Sequence, residues 1–157
     1  DVDLSYSPTE SIRLHNVISL VETNNKNTNQ PLINIPPLSI NNSISFSPTR
    51  WQKFDFELNA KSVFQQQKYA NYNFDVTVVE DGQYVTKKVD ISTPPSAYNL
   101  IGADFRWGPY SLISSKVSIS LSIDNMFDVS YRNYLNRLRY YADEQGRNIL
   151  LQIKFNY

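Results

Sequence analysis

The chain has 157 residues, enough for one ordinary domain. Fifteen basic and fifteen acidic side chains cancel, so no strong field points toward nucleic acid. The absence of cysteine excludes disulfides, thiolate catalysis and cysteine metal sites.

The opening "DVDLSYSPTE" lacks the basic start and apolar core of a signal peptide. No apolar run reaches the roughly eighteen residues of a transmembrane helix. A transmembrane β-barrel stays open, because its strands alternate and leave mean hydropathy low. Tyrosine, phenylalanine, serine and asparagine abound while glycine and alanine are scarce, a composition that favours strands.

In chain order, period-two alternation predicts strands near 2–7, 11–22, 38–47, 53–66, 98–107, 115–126 and 147–157. Alternation is strictest in the last four. One face carries Phe54, Phe56, Leu58 and Ala60, then Ile101, Ala103, Phe105 and Trp107. Val117, Ile119, Leu121 and Ile123 continue it, as do Ile149, Leu151, Ile153, Phe155 and Tyr157. The opposite face is polar, with Leu150 as its exception. Asn16 and Asn42 fall on the apolar side of the earlier strands, and alternation gives no reason for them.

Connections alternate between short and long. The short ones are "SPTES" at 7–11, "SPTRWQ" at 47–52 and "GPYSLIS" at 108–114. Proline second in each "SPT" suits a type I turn, and "SYSPT" with "SFSPT" forms a weak internal repeat. The long ones, 23–37, 67–97 and 127–146, have the length of functional loops. Within the second, "FDVTVVEDGQYVTKKVDIS" predicts a small hairpin turning at Asp81-Gly82.

The connection pattern brings Tyr6, Phe46, Trp51, Phe54, Trp107 and Tyr157 to one level beside the short turns. An aromatic girdle above short turns, with long loops at the far rim, is the pattern of an outer-membrane barrel. Alternation by itself equally fits a soluble antiparallel sandwich with one buried face. The aligned rings and polar second face favour the barrel.

The segment "LSIDNMFDVSYRNYLNRLRYYADEQGRNILLQIKFNY", residues 121–157, goes beyond fold class. It resembles the C-terminus of TonB-dependent outer-membrane receptors. The match rests on Asn125, Met126, Phe127 and Asp128, where the family pattern has leucine second. It continues through Tyr131, then Gly146, Arg147 and Asn148, then an alternating strand that closes on an aromatic residue. The wording "NYLNRLRYYADE" is similar to receptors of Bacteroidetes-type bacteria.

The resemblance implies an all-β fold: an antiparallel up-and-down transmembrane β-barrel of about 22 strands, of which residues 1–157 are about seven C-terminal strands. Signal peptide, plug and N-terminal strands would lie outside this chain, and an odd strand count agrees with a piece of a larger barrel. It further implies the bacterial outer membrane, lipid around the wall and energy from the TonB complex through the plug. The cargo would be a scarce nutrient such as a ferric siderophore or other iron complex, with no cofactor and no catalysis. Ile153, Phe155 and Tyr157 would form the terminal signal for the barrel assembly machinery, or simply lipid-facing girdle positions. An open fragment is expected to associate edge to edge. A secreted sandwich binding glycan or protein, and a passive porin or adhesin barrel, are the alternatives.

Chemistry-bearing residues are sparse. His15, the one histidine, sits on the polar face with no acid, nucleophile or metal pattern around it. Asp55, Glu57, Asp104, Arg106, Lys116 and Asp124 share that face. Paired carboxylates there could serve acid–base work, but lumen contacts to a plug are the simpler expectation. No glycine-rich phosphate loop occurs. Loop 128–146 holds Arg132, Arg137, Arg139, Tyr140 and Tyr141, and its Tyr131, Tyr134, Leu135, Leu138 and Tyr141 fit helical spacing. Either it packs as a short helix or loop on the rim, or Arg137 and Arg139 with Tyr140 and Tyr141 bind an anionic iron complex. Even charge argues against nucleic acid as the partner of this cluster.

Overall fold

The structure is a computed structural model and describes residues 1–51, 53–112 and 115–156, with Leu112 described in its backbone alone. Among the described residues nine strands form: β1 (Val2–Thr9), β2 (Ile12–Ser19), β3 (Ser39–Phe46), β4 (Phe54–Val63), β5 (Phe74–Glu80), β6 (Gln83–Val89), β7 (Tyr98–Leu112), β8 (Ser115–Asp124) and β9 (Asn148–Asn156). Seven make one antiparallel sheet in the order β1-β2-β3-β4-β7-β8-β9, while β5 and β6 pair with each other. Apart from the excursion through β5–β6, sequence neighbours are sheet neighbours. That is an up-and-down meander.

Register follows the side-chain pattern, since a one-residue slip would turn every apolar group to the other face. Ile44 opposes Leu58, which opposes Ala103, which opposes Ile123, which opposes Ile149. One row higher or lower the same face carries Phe46, Phe56, Phe105, Leu121 and Leu151. Phe56 and Phe105 stack at 4.8 Å between centroids.

This apolar face has no second layer over it among the described residues. Leu58, Phe105, Ile119, Leu151 and Trp107 are all exposed, and the buried apolar side chains are Val63, Ala70, Ala103 and Tyr134. The sheet is open, with β1 and β9 as its edges. The fold is therefore all-β and antiparallel, as the alternation predicts: an open seven-stranded sheet and a separate hairpin, with no sealed core among the described residues.

Three local expectations need correction. Residues 108–112 are strand rather than turn: β7 runs on to Leu112, and Tyr110 pairs with Val117, while 113 and 114 lie outside the described residues. A bulge absorbs the extra residue between Trp107 and Tyr110. Gly108 sits there at φ +108, where a Cβ would meet the Val117 carbonyl oxygen at 2.7 Å, so glycine alone fits. Likewise Pro8 lies inside β1, at a register shift between Tyr6 and Thr9. A bulge tolerates proline because the missing N–H breaks no ladder bond. Pro48 opens its turn rather than sitting second in it, its carbonyl accepting from the Trp51 amide at 3.1 Å.

Of the six rings expected at one level, Trp51, Phe54 and Trp107 gather, joined by Tyr110; Tyr6 pairs with Leu14 and Phe46 with Phe56 instead, and Tyr157 lies outside the described residues. Trp51 meets Phe54 edge-on at 5.9 Å, Trp107 meets Tyr110 at 5.8 Å, and the Lys53 ammonium stands 5.1 Å from the Tyr110 ring. Trp51, Phe54, Trp107 and Tyr110 together line one shallow cavity at the short-turn end.

The hairpin in 67–97 forms as predicted. Asp81 and Gly82 both have positive φ, 49° and 78°, the requirement of a type I′ turn. An isolated two-stranded hairpin is marginal in water, and this one is clamped at its base. The Asn73 side-chain oxygen accepts from the Ile91 and Ser92 amides at 2.9 and 3.0 Å and from the Ser92 hydroxyl at 2.7 Å. Asp90 accepts the Thr93 amide at 2.9 Å, and that bond holds its carboxyl below the usual carboxylate range.

Candidate functional site

Two regions carry the polar side chains: the sheet's second face, and the rim built by the three long loops. On the face, cross-strand register sets Asp55 beside Arg106 and Glu57 beside Asp104. Glu57 accepts from the Ser45 hydroxyl at 3.2 Å, and Asp55 from the Ser47 hydroxyl at 2.5 Å. Asp104 accepts from the Ser122 hydroxyl and, at 3.4 Å, from the Asn59 amide. Asn59 in turn lies over Gly102, where a Cβ would stand 2.6 Å from its Oδ1. Asp55, Glu57 and Arg106 line an open polar hollow of about 550 Å³ near the short turns, together with Glu10 and Arg13. Asp124 lines a second hollow at the long-loop end, and Lys116 stands apart from both, opposite Asn156. Among the described residues no three His, Cys, Asp or Glu converge as a metal site. His15 Nε2 lies 2.8 Å from the carboxylate of Asp3, an acid that the neighbouring strand β1 supplies.

The segment from Asn125 to Asn148 explains its own wording. Asn125 leaves β8 with φ 47° and is buried. Its side chain donates to the Val129 carbonyl and accepts the Val129 amide, both at 2.9 Å, closing a tight turn. Asp128, also at positive φ, accepts the Arg147 amide at 2.8 Å. A Cβ at Gly146 would sit 2.5 Å from that same carboxylate oxygen. Asparagine, aspartate and glycine are thus required together, nineteen positions apart in the Asp128–Arg147 bond. Asn148 then starts β9 opposite Asp124. Phe127 points outward, 70 % exposed.

Between these anchors the loop is not helical, contrary to its spacing. Asn133 and Asn136 each accept the amide two residues on, at 3.0 and 2.9 Å. Such side-chain turns compete with helical backbone bonding. A run of turns results. Arg132 Nε donates to Asp143 at 2.6 Å, the Ser130 hydroxyl donates to the other oxygen at 2.5 Å, and both keep that carboxyl below its ordinary range.

Arg139 is buried between two rings, its guanidinium 4.3 Å from the Tyr134 centroid and 4.7 Å from that of Tyr140. It donates to the Tyr134 carbonyl and, at 2.5 Å, to the Tyr140 hydroxyl. Burial pushes the Tyr134 hydroxyl above its ordinary pKa despite the nearby cation. Arg139 and Tyr140 therefore organise the loop, while Arg137 and Tyr141 are exposed on it. Ile153 and Phe155 pair with Ile119 and Val117 on the apolar side of β9, half exposed; Tyr157 lies outside the described residues.

Sequence reasoning passed over the Asn73–Ser92 clamp, although "NYN" and "DIST" bracket the hairpin and supply its donors and acceptors. It also missed the way the loops brace one another. Gln66 donates to the Ile35 carbonyl at 3.0 Å, Gln65 to that of Pro94 at 3.2 Å, and Lys68 pairs with Glu22 at 2.7 Å.

No protein-family profile matches the chain, and no curated protein matches it. Among solved structures, the meander is similar to part of a transport protein. That structure is titled "Copper transporter OprC": the TM-score is 0.70 at 17% identity, over 95% of this chain and 21% of that one. The likeness is one of fold, and the chain spans 21% of the length of the protein it matches.

Proposed function

We propose that this chain is part of the wall of an outer-membrane transport barrel energised through TonB, with its apolar face against lipid and its polar face toward the lumen and plug. The observation that carries the reading is the uncovered apolar face: a seven-stranded meander whose Leu, Ile and Phe side chains meet no second layer among the described residues. In water such a surface is a liability; against hydrocarbon it is the stable arrangement. The ring cluster at the short-turn end and the interlocked loops at the other support the same orientation, as does fold likeness to a transporter.

The proposed cargo is a ferric siderophore or another iron complex, met first at the long-loop rim by Arg137 and Tyr141. A Bacteroidetes-type origin rests on the wording of 133–144 alone. The remainder of the receptor, its plug, the TonB complex and the assembly machinery are the partners of this reading. Uptake assays in a strain deleted for the complete receptor test it. Restored uptake of an iron chelate, abolished without TonB, is the expected result. Restored uptake of ionic copper alone would move the cargo toward that of the structural neighbour, and TonB-independent leakage would favour a passive pore.

A further inference from the structure

At the long-loop end a groove of about 460 Å³ opens beside β2, β3 and β4. Leu20, Leu38 and Phe64 continue the even-numbered, apolar positions of those strands into it, and Val21, Ile35 and Pro36 complete its apolar wall. Gln66 fixes that wall by donating to the Ile35 carbonyl at 3.0 Å. At its mouth stands the exposed Lys68–Glu22 pair, 2.7 Å apart. The same two residues border an outer hollow of about 390 Å³ with Thr23, Asn24 and Asn29. The apolar groove and the second hollow thus adjoin, sharing Glu22, Thr23, Pro31 and Lys68.

Height along the sheet identifies what such a sequence of surfaces meets. Phe54 belongs to the ring cluster, and β4 runs ten residues from it to Val63. At ~3.3 Å per residue and a tilt of ~40°, that is ~25 Å along the membrane normal, the height of the apolar band of a barrel. Phe64 is the next residue. The groove therefore lies where acyl chains give way to headgroups, with a lysine at the headgroup level.

We propose that this groove binds one lipid of the leaflet at the long-loop rim, an acyl chain lying over Leu38 and Phe64 and an anionic phosphate headgroup pairing with Lys68. The proposal rests on the bilayer-facing reading of the apolar side. Glu22 competes with the phosphate for the lysine and so sets the strength of the preference. The two charges thus have opposite expected effects, which a merely structural ion pair would not produce.

Photo-crosslinking in vesicles tests this on the complete receptor that carries the chain. Phosphatidylcholine vesicles are doped with phosphatidic acid, one lipid at a time bearing a diazirine in its acyl chain, and adducts are mapped by peptide mass spectrometry. Adducts in 20–38 and 64–68 are expected to favour phosphatidic acid by about threefold, the scale of one exposed ion pair. Lys68→Gln removes the preference and Glu22→Gln raises it. Equal labelling by both lipids, a preference unchanged in Lys68→Gln, or one erased by excess inorganic phosphate would overturn the lipid site. So would labelling of β8 and β9 with none in the groove, which leaves the bilayer reading standing. No labelling of the apolar face anywhere would overturn that reading instead.

Discussion

Asn16 donates its side-chain amide to the side-chain oxygen of Asn42 at 2.5 Å, and the two are register partners on the apolar face of β2 and β3. Alternation alone made them anomalies. As a pair one amide answers the other, which is what the proposed bilayer-facing side would require of an amide placed there. Asn16→Leu is expected to cost about 1–2 kcal/mol by leaving the Asn42 amide unmatched, whereas the Asn16→Leu/Asn42→Leu double variant recovers most of it. Reversible unfolding of the complete protein in lipid vesicles measures both. Additive losses would contradict the pairing.

The two faces of β8 separate the membrane reading from a packed globule. Leu121→Arg should destabilise by about 2–4 kcal/mol at mid-membrane and Ser120→Arg by much less. In a sealed apolar core the first change would prevent folding, since the charge would have no route to water. Folding yield in vesicles distinguishes these outcomes.

Asp128 and Gly146 form a coupled pair. Asp128→Ala should cost about 1.5–3 kcal/mol, the range of a hydrogen bond to a charged group. Gly146→Ala should be damaging in the native background, because its Cβ would stand 2.5 Å from the carboxylate. With Asp128→Ala already present the glycine change becomes mild. A double-mutant cycle read by protease cleavage within 128–146 exposes that coupling.

Acid should loosen the same loop at its other end. Asp143 is held below its ordinary pKa of 3.8, first by the Ser130 hydroxyl and then by Arg132. A depressed carboxylate contributes above its unfolded pKa and loses that contribution as pH falls through the folded value. Amide exchange in 130–143 should therefore be flat from neutrality down to about pH 4 and rise below it. Asp143→Asn should remove this acid step while raising exchange at neutral pH.

How much of this was written in the residues depends on scale. The seven strands of the main sheet were legible because each has one apolar side at period two, and the Asp81-Gly82 hairpin because its turn needs two positive φ values. The rim was not. In 128–146 the apolar spacing is helical, yet Asn133 and Asn136 turn the backbone aside, so side-chain competition outweighed periodicity. Arg139 looked like a ligand contact, and what its charge meets inside the loop, two tyrosine rings and a carbonyl, comes from positions that spacing does not bring together. The groove at Leu20 and Phe64 belongs to loops that fold across one another, a relation no local pattern encodes.

The bulges in β1 and β7 give the sheet a tolerance that its evenly paired stretches lack. Each stretch carries one spare link, so deleting Pro8 or Gly108 would let the ladder close evenly while Tyr6, Trp107 and Tyr110 keep their side. Losing any single residue from 99 to 105 would instead invert the remainder of β7, exchanging the faces of Arg106 and Trp107. Length changes beside the short turns are thus absorbed in place, and the alternation of faces along the rest of the sheet is insulated from them.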